Sequence, residues 1–290
     1  MKAGIVAIIG RCNVGKSTLL NAVIGQKVSI VSDVPQTTRN RIKGVYSGEQ
    51  GQIVFLDTPG INLLRGLLSR QFSSAAVASL NDADVVLYVV DLQDKIGKEE
   101  RFIIDTLSQV SVPIVVAMNK KDLGKGYVDS YVRELSAIAK FFVPVSAIRN
   151  EGVDELLSSL FELLPEVERP LVPQNMKSDL PLELFVAEVI REKFLWHLKD
   201  EIPHGLAVVV EQMEEREGLL YIKALILVAK ETHKQVVIGK QGRLIKEAGK
   251  LARKELKSFL GKKIFLDLWV SVKNWAKEPS IMERLGYAGT

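Results

Sequence analysis

Up to about residue 164 the apolar residues alternate between two patterns. IVAII at 5–9, IVFL at 53–56, VVLYVV at 85–90, IVVAM at 114–118 and FFVPV at 141–145 are short, β-branched runs of strand length. Between them STLLNAVIG, RFIIDTLSQV, SYVRELSAIA and VDELLSSLFELL place apolar residues every three to four positions, the period of a helix with one buried face. Strands that alternate with helices predict parallel strands with crossover helices, a doubly wound α/β sheet. Ligands of such sheets sit at the carboxyl ends of the strands.

The pattern breaks at PEVERPLVPQNMKSDLP, where Pro165, Pro170, Pro173 and Pro181 block helix continuation and stiffen the chain. This stretch reads as a linker at 169–181 between a first domain at 1–168 and a second at 182–290. Beyond it the periods predict a helix at 182–199, strands LAVVVEQMEER and LLYIKALILVA joined near Glu217-Gly218, a short helix ETHKQVVI, a long helix from Arg243 and a last strand KIFLDLWVSVK. The order is αββααβ.

Four segments carry candidate chemistry. GRCNVGKS at 10–17 fits G-x-x-x-x-G-K-[ST] between a predicted strand and a predicted helix, the context of a P-loop. Gly10 and Gly15 let the main chain through Arg11, Cys12, Asn13 and Val14 curl so that its N–H groups face a β-phosphate, beside the positive end of the following helix. Lys16 is placed to reach the β- and γ-phosphates, and Ser17 to ligate Mg²⁺. DTPG follows the strand IVFL: Asp57 can hold Mg²⁺ through water and Gly60 can offer its N–H to the γ-phosphate, with Thr58, Pro59 and Ile61 in the same contact. NKKD at 119–122 follows IVVAM, and one carboxylate, Asp122, can accept both the N1–H and the N2 amine of guanine, a donor pair that adenine lacks. Asn119 is expected to brace neighbouring loops and the stem of Lys120 to lie over the base. In VSA at 145–147, Ser146 can order its loop and the Ala147 N–H can meet guanine O6.

These segments, with QTTRNR at 36–41, stand in the order of the five G motifs and resemble a translation-factor-related GTPase of the group with the TTR signature. VVIGKQGRLIKEAGKLARKELKSFLGKKIFLDLWVSVK is similar to the KH domain of the bacterial Era family, and the resemblance spans about residues 4 to 288. It implies a P-loop GTPase sheet followed by an α+β type II KH domain, with GTP or GDP and Mg²⁺ as ligands. It implies that one of Thr37 and Thr38 closes over Mg²⁺ and the γ-phosphate. Thr38 is the expected one, so that the metal set is Ser17, Thr38 and Asp57 and the catalytic set Lys16, Thr38 and Asn13. For Asn13 two roles stand side by side: helping to hold a K⁺ ion in place of an arginine finger, or only turning the loop. Cys12 stands where the family usually has proline, and INLLRGLLSRQF after DTPG is less charged than the family pattern. Ile61 cannot orient water by hydrogen bonding, so intrinsic turnover is expected on the order of 10⁻³ s⁻¹ or below.

Charge changes the picture of the C-terminal half. Residues 223–277 hold 14 basic and 4 acidic residues, although the whole chain carries only +4. Such a block next to a G-x-x-G turn, GKQG at 239–242, fits a polyanion. Ile238, Gly239, Lys240, Gln241, Gly242, Arg243, Lys246 and Lys250 are the candidate RNA contacts. For the Era family the implied ligand is the 3′ end of small-subunit (16S) ribosomal RNA during 30S subunit assembly. A competing reading keeps RNA binding and makes GTP a structural ligand that is hardly hydrolysed. Trp196, Trp269 and Trp275 read as packing residues, not as base platforms.

The remaining composition sets bounds. A single cysteine, Cys12, excludes an internal disulfide and suits a cytoplasmic setting. MKAGIVAIIGRC reads as a buried first strand and not as a signal peptide. The resemblance implies a monomer and leaves room for a peripheral station at the inner face of the cell membrane.

Overall fold

The computed structural model describes residues 1–34, 37, 39, 42–57 and 79–286. The chain folds as two compact units, Met1–Val31 with Thr38–Asp179, and Ser32–Thr37 with Leu180–Thr290.

The first unit is built on a six-stranded sheet of order β2-β3-β1-β4-β5-β6. The strands are β1 (Lys2–Ile9), β2 (Ile42–Gly48), β3 (Gly51–Asp57), β4 (Val85–Asp91), β5 (Ile114–Asn119) and β6 (Ala139–Pro144). All neighbours are parallel except β2 and β3, which form an antiparallel pair. Both faces are covered, as the continuous apolar runs require. Val6 and Ile8 point to helices α1 (Lys16–Ile24) and α4 (Val153–Leu163), whereas Ala7 and Ile9 point to α2 (Lys98–Leu107) and α3 (Val128–Leu135). The doubly wound sheet is therefore as expected, with one strand added. IKGVYSG in β2 escapes the periodicity because two glycines and alternating polar residues weaken its apolar signal.

The proline-rich stretch is laid along this sheet. Gln52 holds both the N–H and the carbonyl of Val172 at 3.0 Å. The Val45 N–H donates to the Lys177 carbonyl at 2.9 Å, and the Lys43 N–H to Asp179 Oδ1 at 2.9 Å. The bonds to Val45 and Lys43 satisfy part of the outer edge of β2, which would otherwise present unpaired main-chain groups.

The second unit carries a three-stranded sheet, β7 (Ala207–Arg216), β8 (Leu219–Val228) and β9 (Lys263–Val272), with β8 antiparallel to β7 and parallel to β9. Glu217 and Gly218 both adopt positive φ, the geometry of a tight hairpin turn. Helices α5 (Leu182–Leu195), α7 (Glu231–Ile238) and α8 (Arg243–Leu260) flank the sheet; the short α6 (Ile202–Gly205) and α9 (Pro279–Arg284) complete the unit. The core joins Phe185, Val189, Ile190 and Phe194 of α5 to Ile222 and Ile226 of β8 and to Ala248, Ala252 and Leu256 of α8. Buried charges on α5 are paired: Lys193 lies 2.5 Å from both Glu192 and Glu255, and Arg191 bridges Glu188 at 2.6 Å and the Thr37 carbonyl. Of the three tryptophans, Trp275 is buried as expected, but Trp269 is 60% and Trp196 51% exposed. Trp269 is pinned by Asp267, and Trp196 carries the Lys193 ammonium over its ring.

Candidate nucleotide and nucleic-acid sites

The P-loop joins the end of β1 to α1. Gly15 has φ +96°, and a Cβ there would fall 2.3 Å from the Asn119 amide nitrogen, so only glycine fits. Asn13 also sits in the left-handed region, at φ 64°. Lys16 is 7% exposed, and its Nζ donates to the carbonyls of Gly10 at 3.0 Å and Arg11 at 2.7 Å. Burial lowers its pKa from the ordinary lysine value, while Cys12 and Asp57 work the other way.

Asp57, at the carboxyl end of β3, is fully buried. Its Oδ2 accepts from Ser17 Oγ at 3.0 Å and from Ser29 Oγ at 2.9 Å. Its Oδ1 has no partner among the described residues. Burial pushes its carboxyl above the usual range, and Lys16 pulls it back. An orphaned buried carboxylate oxygen beside the Ser17 hydroxyl is an all-oxygen donor set of the kind that Mg²⁺ takes. Ser29 was not among the expected residues; no local motif marks it.

Across the sheet, Asn119 ends β5 and ties two loops together. Its Nδ2 donates to the Val14 carbonyl at 2.8 Å, and its Oδ1 accepts from the Ala147 N–H at 3.0 Å. The Ala147 N–H, expected for guanine O6, is thus engaged by Asn119, because the buried amide oxygen must find a donor. Ser146 Oγ donates to Asp122 Oδ1 at 2.6 Å, which holds the Asp122 carboxyl below its ordinary range. Lys120 has φ 64°, and its ammonium pairs with Asp91 at 2.5 Å. Thr37 is buried and donates to the Val34 carbonyl at 2.6 Å. Thr38, Thr58, Pro59, Gly60 and Ile61 lie outside the described residues.

In the second unit Gly239, Gln241 and Gly242 all take positive φ, so the GKQG turn is as tight as its spacing implies. A Cβ on Gly239 would come within 2.8 Å of Leu244 Cβ and 2.9 Å of its nitrogen. Lys240, Gln241, Arg243, Lys246 and Lys250 are exposed, and Ile238 is half-buried. A groove of about 480 Å³ lies between α8 and β9, lined by Ile245, Lys246, Gly249, Lys250, Arg253, Leu266 and Leu268. Among the described residues, Lys246, Lys250 and Arg253 have no carboxylate partner. Gly249, Leu266 and Leu268 were not among the expected contacts. The alternation of KIFLDLWVSV placed 266 and 268 on one face, but which face meets α8 is a tertiary fact.

A family model described as "50S ribosome-binding GTPase" matches residues 5–120, and one described as "KH domain" matches 201–276. The GTPase Era of Carboxydothermus hydrogenoformans is 43% identical over 99% of this chain and 98% of its own length. The chain belongs to the Era family of GTPases. The GTPase Era of Halothermothrix orenii is 42% identical over 99% of both chains. Two solved Era structures share the fold across 99% of this chain at 37% identity. One is Era in complex with MgGDPNP and nucleotides 1506-1542 of 16S ribosomal RNA, at TM-score 0.93; the other is a point variant of Aquifex aeolicus Era bound to GDP.AlF4-, at TM-score 0.92. This Era-family chain is accordingly a GTPase with a KH domain. No helix among its described residues is long and apolar enough to cross a membrane.

Proposed function

We propose that this GTPase binds the 3′ end of small-subunit ribosomal RNA in the α8–β9 groove and assists assembly of the 30S subunit in the cytoplasm. The observation that carries the reading is the groove itself: a G-x-x-G turn leads into a helix whose Lys246, Lys250 and Arg253 have no carboxylate partner among the described residues and line a groove against Leu266 and Leu268. Backbone phosphate is drawn to the turn and to the cations, and unstacked bases lie against Ile245, Leu266 and Leu268. The solved Era complex with nucleotides of 16S ribosomal RNA supports this class of ligand.

In the first unit the P-loop amides and Lys16 receive the β- and γ-phosphates, and Asp122 reads guanine. Ser17, Asp57 and Thr38 would hold Mg²⁺, which when bound neutralises charge building on the phosphate oxygens. Lys16 must leave the Gly10 and Arg11 carbonyls, or share them, to contact phosphate. Little covalent chemistry falls to the protein; positioning and charge stabilisation supply the rate. Whether Asn13 recruits K⁺ is decided by GTP turnover in KCl against NaCl at equal ionic strength; equal rates remove that role.

The decisive test is fluorescence anisotropy with a labelled RNA of the 3′-terminal small-subunit sequence. Tight binding with a GTP analogue, and at least tenfold preference over a scrambled RNA, is expected. Equal binding of both RNAs would reduce the groove to a nonspecific polyanion site.

A further inference from the structure

Arg11 belongs to the P-loop, but its side chain takes no part in the phosphate cradle. Its Nε donates to Glu100 and its second terminal nitrogen to Asp94 at 2.8 Å. Glu100 lies in the first turn of α2 and is fully buried. Besides Arg11 it accepts from the hydroxyl of Tyr88 on β4, and from Tyr131 of α3 at 3.4 Å. One carboxylate therefore gathers the P-loop, the central strand β4 and two helices of one face.

An ion pair with its carboxylate buried contributes little net stability, since desolvation consumes much of the Coulomb gain. An apolar contact would fill the same space at less cost. The main chain of Arg11 suggests what the pair is for. The Arg11 carbonyl is the shorter of the two bonds that hold Lys16 Nζ, 2.7 Å against 3.0 Å for Gly10. Fixing the Arg11 side chain at two carboxylates fixes the peptide that carries that carbonyl. It also occupies the guanidinium, so Arg11 is not available as an arginine finger.

We infer that Glu100, Asp94 and Tyr88 are positioning residues for nucleotide binding: through Arg11 they hold the first half of the P-loop in the shape that receives the β-phosphate and orients Lys16. The inference rests on the P-loop being the nucleotide site.

Removing the Arg11 charge alone would leave the buried Glu100 carboxylate without its counter-ion and destabilise the fold for trivial reasons. The informative variant is the double replacement Arg11→Met with Glu100→Gln, which removes both charges and keeps similar volumes. A role confined to folding predicts that the double variant recovers both the unfolding temperature and the affinity for GDP. A positioning role predicts recovery of the unfolding temperature with GDP and GDPNP affinities at least tenfold weaker than the parent, by calorimetry on the full chain. Affinity within twofold of the parent overturns the inference. Should the double variant fail to fold, Arg11→Lys serves: it keeps one charge but cannot reach both carboxylates, so unchanged GDP affinity overturns the inference and a several-fold loss supports it. A parent protein that does not bind GDP would refute the nucleotide site itself, a separate outcome.

Discussion

At the scale of single residues, the proposed base recognition and phosphate contact depend on two electrostatic arrangements. Asp122 has one carboxylate oxygen committed to Ser146. Asp122→Asn exchanges an acceptor for a donor, so preference should swing from GTP towards xanthosine triphosphate by on the order of 10⁴-fold, read by competition against labelled GDP. Lys16 makes a pH-dependent prediction. Its pKa is lowered by burial in the free protein, and the negative charge of a bound triphosphate would raise it. Between the two values binding takes up a proton; affinity is therefore full below the free-state pKa and falls as pH rises through it. Calorimetry in two buffers of different ionisation enthalpy should report that uptake as pH rises through the free-state pKa of Lys16, and none well below it. These residues were legible in the sequence because each follows an apolar run that ends in a fixed motif. Ser29, Asp94 and Glu100 were not, since their partners lie 28, 83 and 89 positions away.

At the scale of elements, strong periods translated directly into structure, and weak ones did not. ETHKQVVI is α7 without change, and the long helix begins at Arg243 as read. β2 was missed, and the proline-rich stretch gained partners along β2 and β3 that no local pattern announces. The G-x-x-G turn tests the logic of backbone space. Gly239→Ala would set a methyl against Leu244 at positive φ, strain of order 1–3 kcal/mol that the turn must relieve by shifting. RNA affinity should fall about tenfold while GTP turnover without RNA is unchanged; equal RNA binding would show that the turn does not touch the strand. On α8, Lys246→Ala with Lys250→Ala should lower the slope of log affinity against log salt by about 1.4, at roughly 0.7 per phosphate for single strands.

At the scale of the molecule, two units with separate cores should not melt as one two-state system. GDP at about 100 times its Kd should stabilise the first unit by ~2.7 kcal/mol. Scanning calorimetry is expected to show the transition of that unit moving up while that of the KH unit stays in place. Movement of both together would mean that the units unfold as a single cooperative body.

Most of the strands and helices, the phosphate-loop motif, the NKKD motif and the basic segment were legible in local sequence, because each depends on residues within a few positions of one another; β2 was not. Only the folded chain decided which buried charges meet. Glu100 finds Arg11, Asp57 keeps one oxygen without a partner among the described residues, and Leu266 and Leu268 face the cations of α8. Such pairings join distant parts of the chain, and no periodicity encodes them; the closing of the sheets brings them together.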